Sequence, residues 1–173
     1  MIRHIVAIAL APALFASSAM AQTVVIVRHG EKVAPKGDPD LSAAGQARAQ
    51  ALAQALSGAR IAMVLATPLK RTQQTAQPAD QAAGVTVVPA PFDGGDAAHA
   101  QRLADQARMA PTDATVLIVG HSNTVADIAK ALGDTAAQAP TDCEYDQITV
   151  IQLAGSAAPK VVHARYGVPT PAC

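Results

Sequence analysis

Aromatic side chains are scarce in this chain of 173 residues, which has no tryptophan, two tyrosines and two phenylalanines, although half of its residues are hydrophobic. A core built on aromatic clusters is therefore excluded. Much of the apolar count is alanine, and this predicts thin, closely packed helices. Neither sign of charge is in excess, with 13 Lys and Arg against 13 Asp and Glu. That balance argues against a general affinity for nucleic acid or for an anionic membrane surface. The two cysteines, Cys143 and Cys173, and the five histidines show no metal-ligand spacing, so no metal is expected. No internal repeat and no linker divides the chain.

One long apolar run stands at the start. Met1-Ile2-Arg3-His4 is a short positive opening, Ile5 to Phe15 is almost wholly apolar, and Ala19-Met20-Ala21 has the small-x-small form of a cleavage site. These three parts read as a secretory signal peptide over residues 1–21, cut before Gln22. The run is short for a membrane span, so no stable membrane association is expected after cleavage. Residues 22–173 then form one domain of 152 residues, with a net charge near −1 once Arg3 is lost. The expected location is the periplasm or the exterior. Such a compartment permits a disulfide between Cys143 and Cys173, which would pin the C-terminal tail to the loop before the last strands. Two unpaired thiols are the alternative.

The stretch that organises the rest is Val24-Val25-Ile26-Val27-Arg28-His29-Gly30-Glu31, a β-branched run that ends in a cation, an imidazole and a glycine. A buried strand leading into a polar loop has this pattern. Ile61 to Leu65 runs in the same way into Ala66-Thr67-Pro68-Leu69-Lys70-Arg71-Thr72, and Thr115 to Val119 into Gly120-His121-Ser122-Asn123. Three strands that each deliver a cation or imidazole to one rim suggest an anion site at their carboxyl ends.

Between the strands, Ser42 is placed to cap a helix whose apolar face runs from Ala44 to Leu56. Thr67 can cap a second helix with Pro68 in its first position, and Pro78 should kink or break that helix before Gly84 ends it. Val85 to Val88 reads as a short strand, Ala97 to Met109 as a helix, and Thr124 to Leu132 as a helix capped by Ser122 or Asn123. Gln147 to Leu153 and Lys160 to Arg165 complete the strands. The expected fold is α/β, a three-layer sandwich with a mostly parallel sheet, helices on both faces and at least one antiparallel strand near the C-terminus.

Four blocks in this order carry a family resemblance. They are Arg28-His29-Gly30-Glu31, Leu41-Ser42-x-x-Gly45, Thr67-Pro68-x-x-Arg71-x-x-x-Thr75-Ala76 and Gly120-His121-Ser122-Asn123, with Glu144-Tyr145-Asp146 as a further likeness. Together they resemble the histidine phosphatase superfamily, the phosphoglycerate-mutase-like fold. The resemblance implies a phosphatase without metal or cofactor that acts on a small phosphorylated substrate or on phosphohistidine. It also implies that His29 attacks phosphorus, forming a phosphohistidine intermediate, and that Arg28, Arg71 and His121 hold the phosphate. This agrees with the chemistry of the residue types, since guanidinium forks clamp phosphate oxygens and a neutral imidazole is a nucleophile.

The chain lacks an Arg-x-Pro after Arg28-His29-Gly30, and Ser122 stands where the acid-phosphatase branch has Asp. It is also shorter than the sugar-phosphate mutases, so it looks most like the minimal bacterial branch that includes protein phosphohistidine phosphatases. The leaving group's proton donor is expected at Asp93, with Glu31 and Glu144 as rivals. His99 and His163 are read as surface or strand residues. Specificity is expected from the loops over 32–40 and 89–96 and from the segment before Tyr145. A non-catalytic phosphate-binding envelope protein, and a phosphotransferase of the mutase kind, are the competing functions.

Overall fold

The computed structural model describes residues 21–171. Residues 1–20, on which most of the signal-peptide reading falls, and Cys173 lie outside the described residues. Strand and helix alternate as β1 (Gln22–Arg28), α1 (Ala43–Ala55), β2 (Ile61–Ala66), α2 (Lys70–Ala83), β3 (Val87–Pro89), α3 (Gly95–Arg108), β4 (Thr115–Gly120), α4 (Val125–Ala131), β5 (Gln147–Leu153) and β6 (Lys160–Arg165). The six strands form one sheet in the order β3-β2-β4-β1-β5-β6. β1, β2, β3 and β4 are mutually parallel, and β5 is antiparallel to both β1 and β6. The expected α/β sandwich and its antiparallel C-terminal strand are therefore present.

Strand composition explains this order. β1 and β4 are apolar on both faces, with Val24 to Val27 and Val116 to Val119 all buried. Such strands belong at the centre of a sheet covered on both sides. β6 carries Lys160, His163 and Arg165 and lies exposed at one edge, where charge discourages further pairing. β3 is three residues long and ends in Pro89 at the other edge.

Alternation along the strands splits the core in two. Val24, Ile26, Leu65, Val116 and Ile118 face α3 and α4. Val25, Val27, Val64, Leu117 and Val119 face α1 and α2. Ala100, Ala104 and Ala107 are fully buried along α3, and these small side chains bring the helix close to the sheet, as the alanine-rich composition anticipates.

Ser42 caps α1 as expected, its side chain accepting from the Gly45 N–H. The second helix differs from expectation. It begins at Lys70, after Leu69, and Thr67 does not cap it. The Asp38 carboxylate instead accepts the Lys70 N–H at 3.0 and 3.2 Å. Pro78 neither breaks nor ends α2, which runs on to Gly84 in the left-handed region. The buried stripe Thr72, Thr75, Ala76 and Ala79 holds the helix on the sheet and offsets the lost hydrogen bond. Neither Ser122 nor Asn123 is the cap residue of α4, which is Thr124. Thr124 is fully buried, and its hydroxyl accepts the His121 N–H at 3.0 Å, so it serves the turn that presents the histidine.

Candidate active site

Parallel register puts the carboxyl ends of β1, β2 and β4 on one rim. Arg28 pairs with Gly120, and the His29 N–H extends that ladder to the Gly120 carbonyl at 3.0 Å. The residue that follows β1 is thus His29, and the one that follows β4 is His121. Their rings lie 5.4 Å apart between centroids at 62°, both buried.

His29 Nδ1 sits 2.7 Å from the Gly30 carbonyl. A carbonyl only accepts, so Nδ1 carries the proton and Nε2 keeps its lone pair. Burial pushes the His29 pKa down to about 4, the Gly30 bond opposing it and Arg28, Arg71 and Lys32 adding to it. The imidazole is neutral at physiological pH, as a nucleophile must be. His121 is pushed down to about 3 by burial, then by His29 and Arg71. Without an anion His121 is therefore a neutral hydrogen-bonding group, and its protonated form is disfavoured.

Thr67 is a site residue that sequence reasoning assigns to a helix cap. Its hydroxyl lies 3.0 Å from His121 Nε2 and 2.8 Å from the Thr72 hydroxyl. It orients His121, while Gln73 and Thr72 secure the Thr67 carbonyl. The cue in the sequence is the Thr67–Thr72 spacing, but only the adjacency of β2 and β4 reveals what Thr67 faces.

Arg71 lies in the first turn of α2, as expected, with its Nη1 3.6 Å from Asp38 Oδ1. Asp38 comes from the loop over 32–40, so this loop does border the site. Arg28 donates through Nη1 to the carbonyls of Thr141 at 2.8 Å, Asp142 at 3.2 Å and Glu144 at 2.9 Å. Its guanidinium stacks on Tyr145 at 4.0 Å. The Nε atoms of both arginines and His121 Nδ1 are buried without a hydrogen-bond partner. Three such atoms, contributed by three separate elements, suit a site that awaits an anionic ligand.

The glycines of two blocks meet here. A Cβ on Gly30 would lie 2.9 Å from the Gly45 carbonyl oxygen, and a Cβ on Gly45 would run into the Glu31 backbone. The first turn of α1 therefore lies directly on the loop that follows β1. Thr75 joins α2 to the same loop, accepting the Gly30 N–H at 2.9 Å.

The three carboxylates weighed as proton donors have different surroundings. Glu31 is paired with the buried Arg48 at 2.7 Å, which in turn binds the carbonyls of Tyr166 and Val168. Glu144 accepts from the Thr141 N–H and hydroxyl and pairs with Arg165. The Thr141 N–H and Arg165 hold the Glu144 carboxyl down to about 2, so its charge is committed to these partners. Asp93 is exposed in the loop that leads into α3, its backbone carbonyl held by Arg102 at 2.7 Å. Asp96, close behind, accepts from the Asn123 side chain at 3.1 Å, which brings this region against the His121 turn. His99 is not a surface residue: it is fully buried in α3, its Nδ1 donating to the Pro91 carbonyl, against Phe92. His163 is half exposed on β6 and pairs with the buried Asp134 at 3.1 Å.

Residues 24–91 match the model of the histidine phosphatase superfamily (branch 1). Solved structures share its fold. The mycobacterial glucosyl-3-phosphoglycerate phosphatase Rv2419c is 16% identical, with a TM-score of 0.61 over 82% of this chain and 97% of the other. The protein histidine phosphatase SixA, complexed with tungstate, is 22% identical, with a TM-score of 0.60 over 83% of this chain and 96% of the other. An Entamoeba histolytica phosphoserine phosphatase is 18% identical, with a TM-score of 0.60 over 85% and 98%. Comparison with curated protein sequences gave no match.

Proposed function

We propose that this chain is an exported, metal-independent phosphatase that hydrolyses a phosphate monoester or phosphoramidate through a covalent phosphohistidine on His29. The observation that carries this reading is the 2.7 Å contact of His29 Nδ1 with the Gly30 carbonyl, which leaves the Nε2 lone pair for attack, beside three buried polar atoms without partners. His29 Nε2 attacks phosphorus while Arg28, Arg71 and His121 bind the non-bridging oxygens. The bond from phosphorus to the leaving atom breaks and its electron pair leaves with that atom, protonated by Asp93. Water then attacks the phosphohistidine, releasing phosphate and restoring His29.

Asp93 is the donor this reading favours because Glu31 and Glu144 are already held by cations. An imidazole leaving group needs less acid assistance than an alkoxide, so phosphohistidine also suits an exposed donor. Cys143 is disulfide-bonded. This supports an oxidising compartment and therefore export.

The test is hydrolysis of an aryl phosphate by residues 22–173 with a chelator present. Turnover is the expected result. Absence of both turnover and vanadate binding would remove the reading, whereas vanadate binding without turnover would favour the non-catalytic phosphate-binding protein. Arg71→Ala should lower kcat/KM about 10²-fold, the scale of losing one transition-state donor, and weaken phosphate binding. An unchanged kcat/KM would take Arg71 out of the site.

A further inference from the structure

The arginine beside the nucleophile is held from an unusual direction. One nitrogen of Arg28, Nη1, meets three backbone carbonyls from the segment Thr141 to Glu144, at 2.8 to 3.2 Å. The next residue, Tyr145, covers the face of the guanidinium and stands 6.0 Å from the His29 ring. This segment has no regular strand or helix to fix it. Three carbonyls converging on one nitrogen repel each other, so the Arg28 charge and a fastening of the loop must hold them together. In the middle of it is Cys143, which is disulfide-bonded.

The surroundings show what such a fastening ties together. Asp146, almost fully buried, accepts the Thr170 N–H at 3.2 Å and the Thr170 hydroxyl at 2.8 Å. The C-terminal tail is thus already drawn against the segment that follows Cys143. The chain's other cysteine, Cys173, belongs to that tail by sequence and lies outside the described residues.

We infer that Cys143 is a positioning residue for catalysis: its disulfide fixes the Thr141–Tyr145 loop, and through the three carbonyls of that loop sets the guanidinium of Arg28 for the phosphoryl group. The inference rests on the proposed phosphatase reading. It adds that the phosphate clamp is complete only while the bond is closed. Opening the bond with a dithiol converts the disulfide into two thiols as the dithiol becomes a cyclic disulfide. The loop then gains freedom, and Arg28 loses its fixed direction.

The experiment compares oxidised protein, dithiol-reduced protein, Cys143→Ser and Cys173→Ser for aryl phosphate hydrolysis and vanadate affinity. All are measured well below the melting temperature, with circular dichroism as the check on folding. The expected result is a loss in kcat/KM of about tenfold or more, the scale of displacing a substrate-positioning group, together with weaker vanadate binding and a native spectrum. In an Arg28→Ala background the same treatments should change kcat/KM no further, because the bond acts through Arg28. Reoxidation should restore the reduced wild type.

A lowered Tm with unchanged kcat/KM would overturn the inference and leave the phosphatase reading intact. An equal loss in the Arg28→Ala background would overturn it also. Loss of the native spectrum in both the reduced protein and the serine variants would make the bond a folding staple, again against a positioning role. If the oxidised wild type neither turns over aryl phosphate nor binds vanadate, the phosphatase reading itself has failed.

Discussion

His29→Ala is expected to lower kcat for an aryl phosphate by about 10⁴-fold or more, the scale seen when a covalent nucleophile is removed. The pocket should survive the change, because Arg28, Arg71 and His121 reach the rim from their own anchors. The variant should therefore still bind vanadate, which separates lost chemistry from lost folding. Retention of most of the activity would sink the covalent mechanism.

The same residue sets a pH signature. With its pKa pushed down to about 4 by burial, His29 is unprotonated through neutral pH, and the acid limb of kcat/KM should fall only below about pH 4. An ordinary histidine, at 6.5, would lose activity more than two units earlier. Stability follows the same displacement. The unfolded chain protonates His29 and His121 near 6.5, while the folded chain resists down to about 4 and about 3. Between those limits the unfolded state binds more protons, so stability falls as pH drops, by about 1.4 kcal/mol per unit for each group. Phosphate-free thermal melts from pH 7 downward measure this. A Tm that stays flat from pH 6.5 to 4.5 would contradict buried, neutral histidines.

Gly45→Ala is the second large effect, and its sign runs against helix propensity. Gly45 lies in the first turn of α1, where alanine is ordinarily better than glycine by about 1 kcal/mol. Here the added Cβ would meet the Glu31 backbone, lying 2.8 Å from its nitrogen and nearer still to its oxygen. The contact is backbone, so no side chain can swing away. The helix or the loop behind His29 must move, at a cost of about 3 kcal/mol. For a chain of this size that is a fall in Tm of roughly 6–12 °C. Activity should drop beyond what the lost stability explains, because the loop that moves carries His29 and Gly30. Gln50→Ala, exposed on the same helix, is the control and should leave both quantities close to wild type. A Tm for Gly45→Ala at or above wild type would show that the two segments are not in contact.

Hydrophobic patterning alone makes most of the fold legible. The continuous runs Val24–Val27 and Val116–Val119 require central strands, and the spacing of short elements requires parallel connections, because a strand apolar on both faces must be covered on both. Arg28, His29, Arg71 and His121 are likewise readable, each standing at the end of a strand or in the first turn of a helix. Local chemistry there is sufficient, since polar groups directly after a buried run have only the sheet's rim to occupy.

The residues that sequence reasoning misassigns are those whose partners are distant along the chain. Thr67 has the form of a helix cap, yet it faces His121 from the neighbouring strand. Asp38 is an ordinary loop aspartate until α2 brings Lys70 and Arg71 beside it. His99 has the pattern of a surface histidine, and only the docking of α3 on the sheet buries it. Glu31 and Glu144 are plausible acids by position, but Arg48 and Arg165 claim them. The sequence by itself determined which elements form and which side chains reach the rim, because hydrophobic period and strand ends are local properties. Tertiary structure alone decided which of the three carboxylates is not paired with a cation, which threonine orients the second histidine and which loop holds the Arg28 guanidinium, because each depends on atoms brought together from separate elements.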